Sequence, residues 1–219
     1  MTNREKSKDD HLLWTELGRE HLVESPVFSM VRSRRRSPEG TESSYYLMDA
    51  PDWVNVVALT DDEEGRRCFI MVRQFRHGSM RVSLEFPGGV VDPGEDPEPA
   101  VLRELREETG YEAETLELLG SVNPNPAFMN NRCYTYLAES TRLVASLDLD
   151  HDEYIEVELV PLEDLLAGRR DEEFDHAMMH VALRFYERRR PDSNRRMKDL
   201  QSSPLPLGYG ALMQGDHSK

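Results

Sequence analysis

Cysteine is nearly absent: Cys68 and Cys133 are the only two, and they lie far apart in sequence. That spacing implies neither a disulfide framework nor a cysteine-based zinc site, so both are expected as reduced thiols in strands or core. Long apolar runs are also missing. No stretch approaches the roughly 18 apolar residues of a membrane span, and the charged start Met1-Thr-Asn-Arg-Glu-Lys leads into no apolar segment. A soluble, cytoplasmic protein without a membrane partner is the expectation. Basic residues are in deficit, 27 against 42 acidic ones, for a formal charge of −15. A field of that sign repels a phosphate backbone, which counts against nucleic-acid binding. A phosphorylated small molecule meets the same objection, unless divalent cations and a few placed arginines reverse the sign locally.

What is present suits one catalytic domain with extensions in a chain of 219 residues. Residues 1–50 read as an N-terminal extension, in which Val27–Arg32 and Ser44–Met48 have strand character and form a hairpin. The basic run Arg32-Ser-Arg-Arg-Arg36 before Ser-Pro-Glu-Gly40 reads as its solvated end. Residues 51–190 read as the catalytic unit. Val54–Leu59 and Cys68–Val72 are apolar enough for central strands, parted by the acidic turn Asp61-Asp-Glu-Glu-Gly65. Further strands are expected at Leu116–Leu119, Cys133–Leu137 and Tyr154–Val160, and helices at Leu162–Leu166 and about Glu173–Arg188. In the last helix Met178, Val181, Ala182 and Phe185 share a core-facing side. Residues 191–219, rich in Ser, Pro and Gly, read as an irregular tail.

The chemistry concentrates in Gly89-Val-Val-Asp-Pro-Gly-Glu95, seven residues, and Arg103-Glu-Leu-Arg-Glu-Glu-Thr-Gly-Tyr111. Pro97 and Pro99 suit the first turn of a helix, and Gly110 suits its C-terminal cap. On that helix Glu104 and Glu108 are four residues apart and Glu107 stands three from Glu104, so three carboxylates crowd one face. Each like-charge pair costs about 0.2–0.5 kcal/mol on an exposed helix, whereas a hard cation with oxygen ligands turns the cluster into a binding site. Mg²⁺ fits that donor set first, with Mn²⁺ second; a closed zinc site would call for His or Cys. Three glutamates alone read as readily as a solvated acidic face, so the fixed loop before them decides.

Together these residues resemble the Nudix box, G-x5-E-x7-R-E-U-x-E-E-x-G-U, through Gly89, Glu95, Arg103, Glu104, Leu105, Glu107, Glu108 and Gly110. Eight specified positions agree by chance about once in 10⁹ at average residue frequencies. The departure is Tyr111, where the pattern has an aliphatic packing residue. The resemblance implies an α/β fold, the Nudix α/β/α sandwich around a mixed sheet, preceded here by the N-terminal hairpin. It also implies metal-dependent hydrolysis of a diphosphate bond. By the same likeness Glu104 and Glu108 are metal ligands, Glu107 a ligand or water-mediated partner, and the Gly88 carbonyl a further oxygen. Arg103 and Glu95 are supports, Arg103 orienting a carboxylate by a bidentate pair.

Within that family, the chain looks like the ADP-ribose pyrophosphatase and nucleoside-diphosphate-sugar hydrolase branch. Pro126 stands 15 residues after Tyr111, at the branch's marker position, inside Asn123-Pro-Asn-Pro-Ala-Phe-Met-Asn-Asn-Arg132, which resembles its substrate loop. The segments Val72–Gly78 and Leu84–Gly89 resemble it too. That likeness gives Arg76 a phosphate contact and Glu85 a part in binding or shaping the substrate end. On their own, Arg76 reads as a surface strand charge and Glu85 as half of a salt bridge. The general base of this branch lies on a loop well after the box, where Asp150-His-Asp-Glu153 precedes a strand. Glu153 is the first choice there, as ligand or base; Asp152 is second and Glu107 the fallback. The branch also implies a homodimer built on N-terminal strands. Rival readings are a Nudix enzyme for dinucleoside polyphosphates, NADH or nucleoside triphosphates, and a non-catalytic nucleotide-binding sensor.

Overall fold

The computed structural model describes residues 8–149, 151 and 154–190. A 3₁₀ turn at Asp10–Leu12 leads into β1 (Thr15–Glu24), β2 (Ser29–Arg36) and β3 (Glu42–Asp49), a three-stranded antiparallel sheet in the order β1-β2-β3. The expected hairpin is there as β2 and β3, but β1 is an addition. Its residues are exposed along nearly the whole strand, so they carry no alternation to read, and pairing with β2 creates the strand. The basic run is a correction as well. It belongs to β2 itself, where Arg32 pairs with Glu20, Arg35 with Glu16 and Arg36 with Glu42.

The remaining strands build the central sheet. β4 (Trp53–Asp61) and β5 (Arg67–Arg76) are antiparallel, and Asp62 accepts the Glu64 and Arg66 N–H groups at the turn between them. β6 (Arg81–Glu85), β8 (Glu117–Val122), β9 (Cys133–Ala138) and β11 (Ile155–Pro161) complete the order β11-β5-β4-β9-β8, with β6 also on β5. β4 and β9 run parallel while the other pairs are antiparallel, so the sheet is mixed. A two-stranded ribbon of β7 (Tyr111–Ala113) and β10 (Thr141–Leu143) was not legible, each strand being three residues long.

Helix α1 (Pro97–Thr109) covers one face of the sheet. Its Ala100, Val101 and Leu105 pack on Val54, Val56, Ala58 and Ile70, with the half-buried Tyr111 at the edge. Helices α2 (Leu162–Leu166) and α3 (Ala177–Arg189) cover the other face, over Val57, Leu59, Phe69, Met71, Leu84 and Phe86. The layering is α/β/α. α3 starts later than expected because Glu173 is held by Arg73 and Arg170, and its buried side is Met179, Ala182 and Tyr186, with Met178 and Phe185 only partly buried. Both cysteines are buried and free, and burial pushes the Cys133 thiol up to about 12. Among the described residues no helix is long and apolar enough to cross a membrane.

Candidate active site

The segment Pro87–Val91 is laid along the start of β4 by backbone hydrogen bonds. Val56 N–H donates to the Pro87 carbonyl (2.9 Å), Val54 N–H to Gly89 (2.9 Å) and Val91 N–H to Asp52 (2.9 Å). The approach is so close that a Cβ at Gly88 would fall on the Val54 carbonyl oxygen, which is why glycine stands there. A Cβ at Gly89 would lie 2.5 Å from Glu104 Oε1. Pro97 opens α1 and Gly110, at φ 74°, closes it with its N–H on the Arg106 carbonyl.

From α1, Glu108 reaches the same dipeptide. Its Oε2 accepts the Gly88 N–H at 2.8 Å, and the residue is 3% exposed. Glu104 and Glu108 therefore converge on Gly88-Gly89, where the lack of side chains leaves room for carboxylates. Arg103 organises the rest. Its guanidinium donates to Glu95 Oε2 (3.1 Å), Glu104 Oε1 (2.9 Å), Glu107 Oε2 (3.1 Å) and the Val90 carbonyl (3.1 Å). Hydrogen bonding to Glu95 is the main cause that raises the Arg103 pKa against the opposing effect of burial, and Glu95 is lowered in return. Arg103 is thus a fixed cation among three glutamates.

Among the described residues no three His, Cys, Asp or Glu side chains stand close enough to hold a metal ion as they are placed. The donor set still fits one. It consists of hard oxygens over a backbone with no side chains, and Glu104 and Glu107 already share one positive group, the Arg103 guanidinium.

A second constellation lies on β5 and β6, where Val72 is opposite Glu85 on the sheet face that α1 covers. Arg76 donates to both Glu85 oxygens, Nε to Oε1 at 2.8 Å and Nη2 to Oε2 at 2.7 Å. The Glu85 side chain is 1% exposed and that of Arg76 41%. Burial pushes the Glu85 carboxyl upward, but the Arg76 hydrogen bonds and charge outweigh it and leave the group below its ordinary value. His176 is lowered by burial, against the opposing pull of Glu85. Arg76 and Glu85 are separate in the sequence and not opposite each other in the β5–β6 register, where Glu85 faces Val72 and Arg76 faces Arg81; their side chains join them.

Pro126 is exposed in the turn 125–129, where Met129 N–H donates to the Asn125 carbonyl (2.8 Å). The loop bonds to Ser121 of β8 through Arg132, and otherwise to the end of β3, the 50–52 turn and the start of β4. Ala50 and Asp52, which make two of those bonds, carried no signal in the sequence. Glu153 and Asp152 lie outside the described residues, as does the tail 191–219.

Comparison with known proteins agrees with this geometry. The NUDIX domain family matches residues 51–181. An ADP-ribose pyrophosphatase of Bacillus subtilis is 33% identical over 172 residues, covering 78% of this chain and 91% of the relative. An ADP-sugar pyrophosphatase of Mus musculus is 40% identical over 90 residues, 41% of this chain and 40% of that one. Among solved structures, the crystal structure of an ADP compounds hydrolase superposes with a TM-score of 0.68 at 25% identity, covering 86% of this chain and 96% of the other.

Proposed function

Because the chain belongs to the Nudix family of pyrophosphatases, we propose that it hydrolyses the diphosphate bond of ADP-ribose or a closely related nucleoside-diphosphate sugar. Water attacks phosphorus, the bridging P–O bond breaks, and the products are a nucleoside monophosphate and a sugar phosphate. One observation carries the reading: the glutamates of α1 and the Gly88-Gly89 backbone converge beside Arg103, in a chain that covers 91% of a relative named ADP-ribose pyrophosphatase.

Mg²⁺, or Mn²⁺ in its place, would be held by Glu104, Glu107, Glu108, Glu153 and the Gly88 carbonyl. When bound, such a cation neutralises diphosphate oxygens and makes water a better nucleophile. The protein's own groups do the rest. Gly88 N–H fixes Glu108, and Arg103 orients Glu104 and Glu107. The Arg76 guanidinium, held in place by its two bonds to Glu85, offers positive charge to a phosphate, while Glu85 and the Pro126 loop shape the substrate end.

Glu153 takes the proton of the attacking water. The flanking residues support this: Asp148 N–H donates to the Glu107 carbonyl at 3.0 Å, and Ile155 pairs with Gln74 of β5. Asp148 thus lies beside α1 and Ile155 beside β5. Glu153→Gln should lower kcat by about 10²–10⁴-fold, the usual cost of losing a general base, with KM little changed. An unchanged kcat would transfer the role to Asp152 or Glu107.

The same reading takes residues 51–190 as the catalytic domain, the N-terminal sheet as its extension and the protein as a cytoplasmic homodimer. Exposed Leu22, Val23 and Tyr46 on that sheet, with Trp14 just before it, favour a second copy, which light scattering would weigh directly. The acidic net charge disfavours nucleic acid as a partner.

A divalent-cation-dependent panel of ADP-ribose, ADP-glucose, GDP-mannose, UDP-sugars, NADH, nucleoside triphosphates and dinucleoside polyphosphates tests the function. AMP plus ribose 5-phosphate from ADP-ribose is the expected result. Preferential cleavage of dinucleoside polyphosphates or triphosphates would reassign the substrate, and nucleotide binding without turnover would make the protein a sensor.

A further inference from the structure

The exit of β3 is stitched to the 123–132 loop along its length. Met48 N–H donates to the Phe128 carbonyl (2.8 Å), and Met48 forms an isolated parallel bridge with Met129. Asn130 makes two bonds to consecutive residues: its side-chain amide donates to the Asp49 carboxylate, and its Oδ1 accepts the Ala50 N–H at 3.2 Å. Asn131 Nδ2 donates to the Pro51 carbonyl (2.9 Å), and Asn131 is 2% exposed.

Asp52 closes the series and does more than the others. Its Oδ1 accepts the Arg132 N–H at 2.7 Å, while its own backbone carbonyl accepts the Val91 N–H at 2.9 Å. Trp53 follows with its N–H on the Arg132 carbonyl (2.8 Å) and a bridge to Val90. One residue thus holds the end of the 123–132 loop by its side chain and the loop preceding α1 by its main chain. A carboxylate accepting from a backbone N–H is a charge-assisted bond, shorter and stronger than a neutral one.

We infer that the Asp49–Asp52 corner is a positioning element, with Asp52 as its pivot, that sets the 123–132 loop in a fixed relation to the glycine loop preceding α1. The inference rests on the reading of the site as a nucleoside-diphosphate-sugar hydrolase with its substrate end at that loop. Its function follows from the connection. The diphosphate is held from the box side, so the distance between the two loops selects how far the nucleoside or sugar end extends. Asp52 touches no reacting atom and acts through Arg132 and its neighbours.

The experiment is steady-state kinetics with ADP-ribose and Mg²⁺ for the full chain and for Asp52→Ala and Asp52→Asn, with amide hydrogen exchange of the 123–132 and 97–109 segments. In Asp52→Ala, KM is expected to rise about tenfold, the worth of one charge-assisted hydrogen bond. Its kcat and Mg²⁺ dependence should stay near wild type, and exchange should quicken in 123–132 but not in 97–109. Asn keeps an acceptor oxygen and should restore most of the KM. Should Asp52→Ala fail to fold, Asn130→Ala, at an exposed position, removes the neighbouring clasp and should move KM and exchange in the same direction. A KM that stays put, or exchange that does not change, overturns the inference, as does a loss confined to kcat or to Tm. A wild-type chain that cleaves no nucleoside-diphosphate sugar would instead sink the substrate reading, and exchange alone would then decide whether Asp52 holds the loop.

Discussion

Glu108→Gln is expected to lower kcat by about 10³-fold or more while the protein stays folded. Removing one anionic ligand forfeits several kcat-determining kcal/mol of metal-assisted stabilisation, and about 1.4 kcal/mol is a factor of ten in rate. The fold survives for a local reason. The amide oxygen of Gln can still accept the Gly88 N–H, and exchanging a buried charge for a neutral isostere removes a desolvation cost. Two measurements separate the metal role from a structural one. Wild type should gain thermal stability on Mg²⁺ addition, since a ligand that binds only the native state shifts folding by mass action. The variant should lose most of that gain along with turnover. Full activity in Glu108→Gln would remove the basis for placing the metal on α1.

Arg76→Ala should be the largest single loss of stability among these substitutions. Glu85 has a 1% exposed side chain whose two oxygens both bond Arg76, so truncating the arginine leaves a buried carboxylate without its main partner. Breaking such a pair costs about 3–5 kcal/mol, discounted here because the Arg76 side is partly solvated. The pH dependence distinguishes this cause from a plain cavity. In wild type the Glu85 pKa is depressed, so its contribution is complete above the unfolded carboxylate range and is lost as pH falls through the folded value. Without Arg76, burial, the largest influence on the group, is opposed only by His176 and Ser83 and raises it, so the variant is penalised most at neutral and alkaline pH and recovers as Glu85 protonates. The Tm gap between wild type and Arg76→Ala should therefore narrow from pH 8 toward pH 5, and Arg76→Ala,Glu85→Gln should recover part of it at pH 8. A gap independent of pH would show that lost packing, and not the stranded carboxylate, is responsible. Arg76→Lys should restore little, because one ammonium cannot reproduce the bidentate fork.

Much of this molecule was legible from residue patterns. The apolar runs of β4, β5 and β9 are buried from both sides and need no partner to be recognised. Helix α1 carried its own punctuation, prolines at one end and a left-handed Gly110 at the other. What failed to show were elements whose existence depends on a neighbour. β1 is a strand because β2 lies beside it, and β7 and β10 define each other across about 30 residues of chain. The side of α3 was legible only in part for a related reason: Met178, Ala182 and Phe185 pack inward as expected, but an amphipathic pattern leaves a turn's fraction of freedom, and the more deeply buried Met179 and Tyr186 shift its centre.

By itself the sequence determined the box, its helix and the crowding of Glu104, Glu107 and Glu108, because spacing along one helix is local geometry that 3.6 residues per turn dictates. Tertiary structure alone decided that Arg103 gathers Glu95, Glu104 and Glu107, that Glu108 is fixed on Gly88, and that Arg76 is spent on Glu85. It alone made Asp52 the joint between two loops, reached at Val91 and Arg132, that both lie far down the chain from it, the second 80 residues away. Those pairings join residues distant in the chain through strand register and close backbone approach, and neither leaves a mark on the local order of side chains.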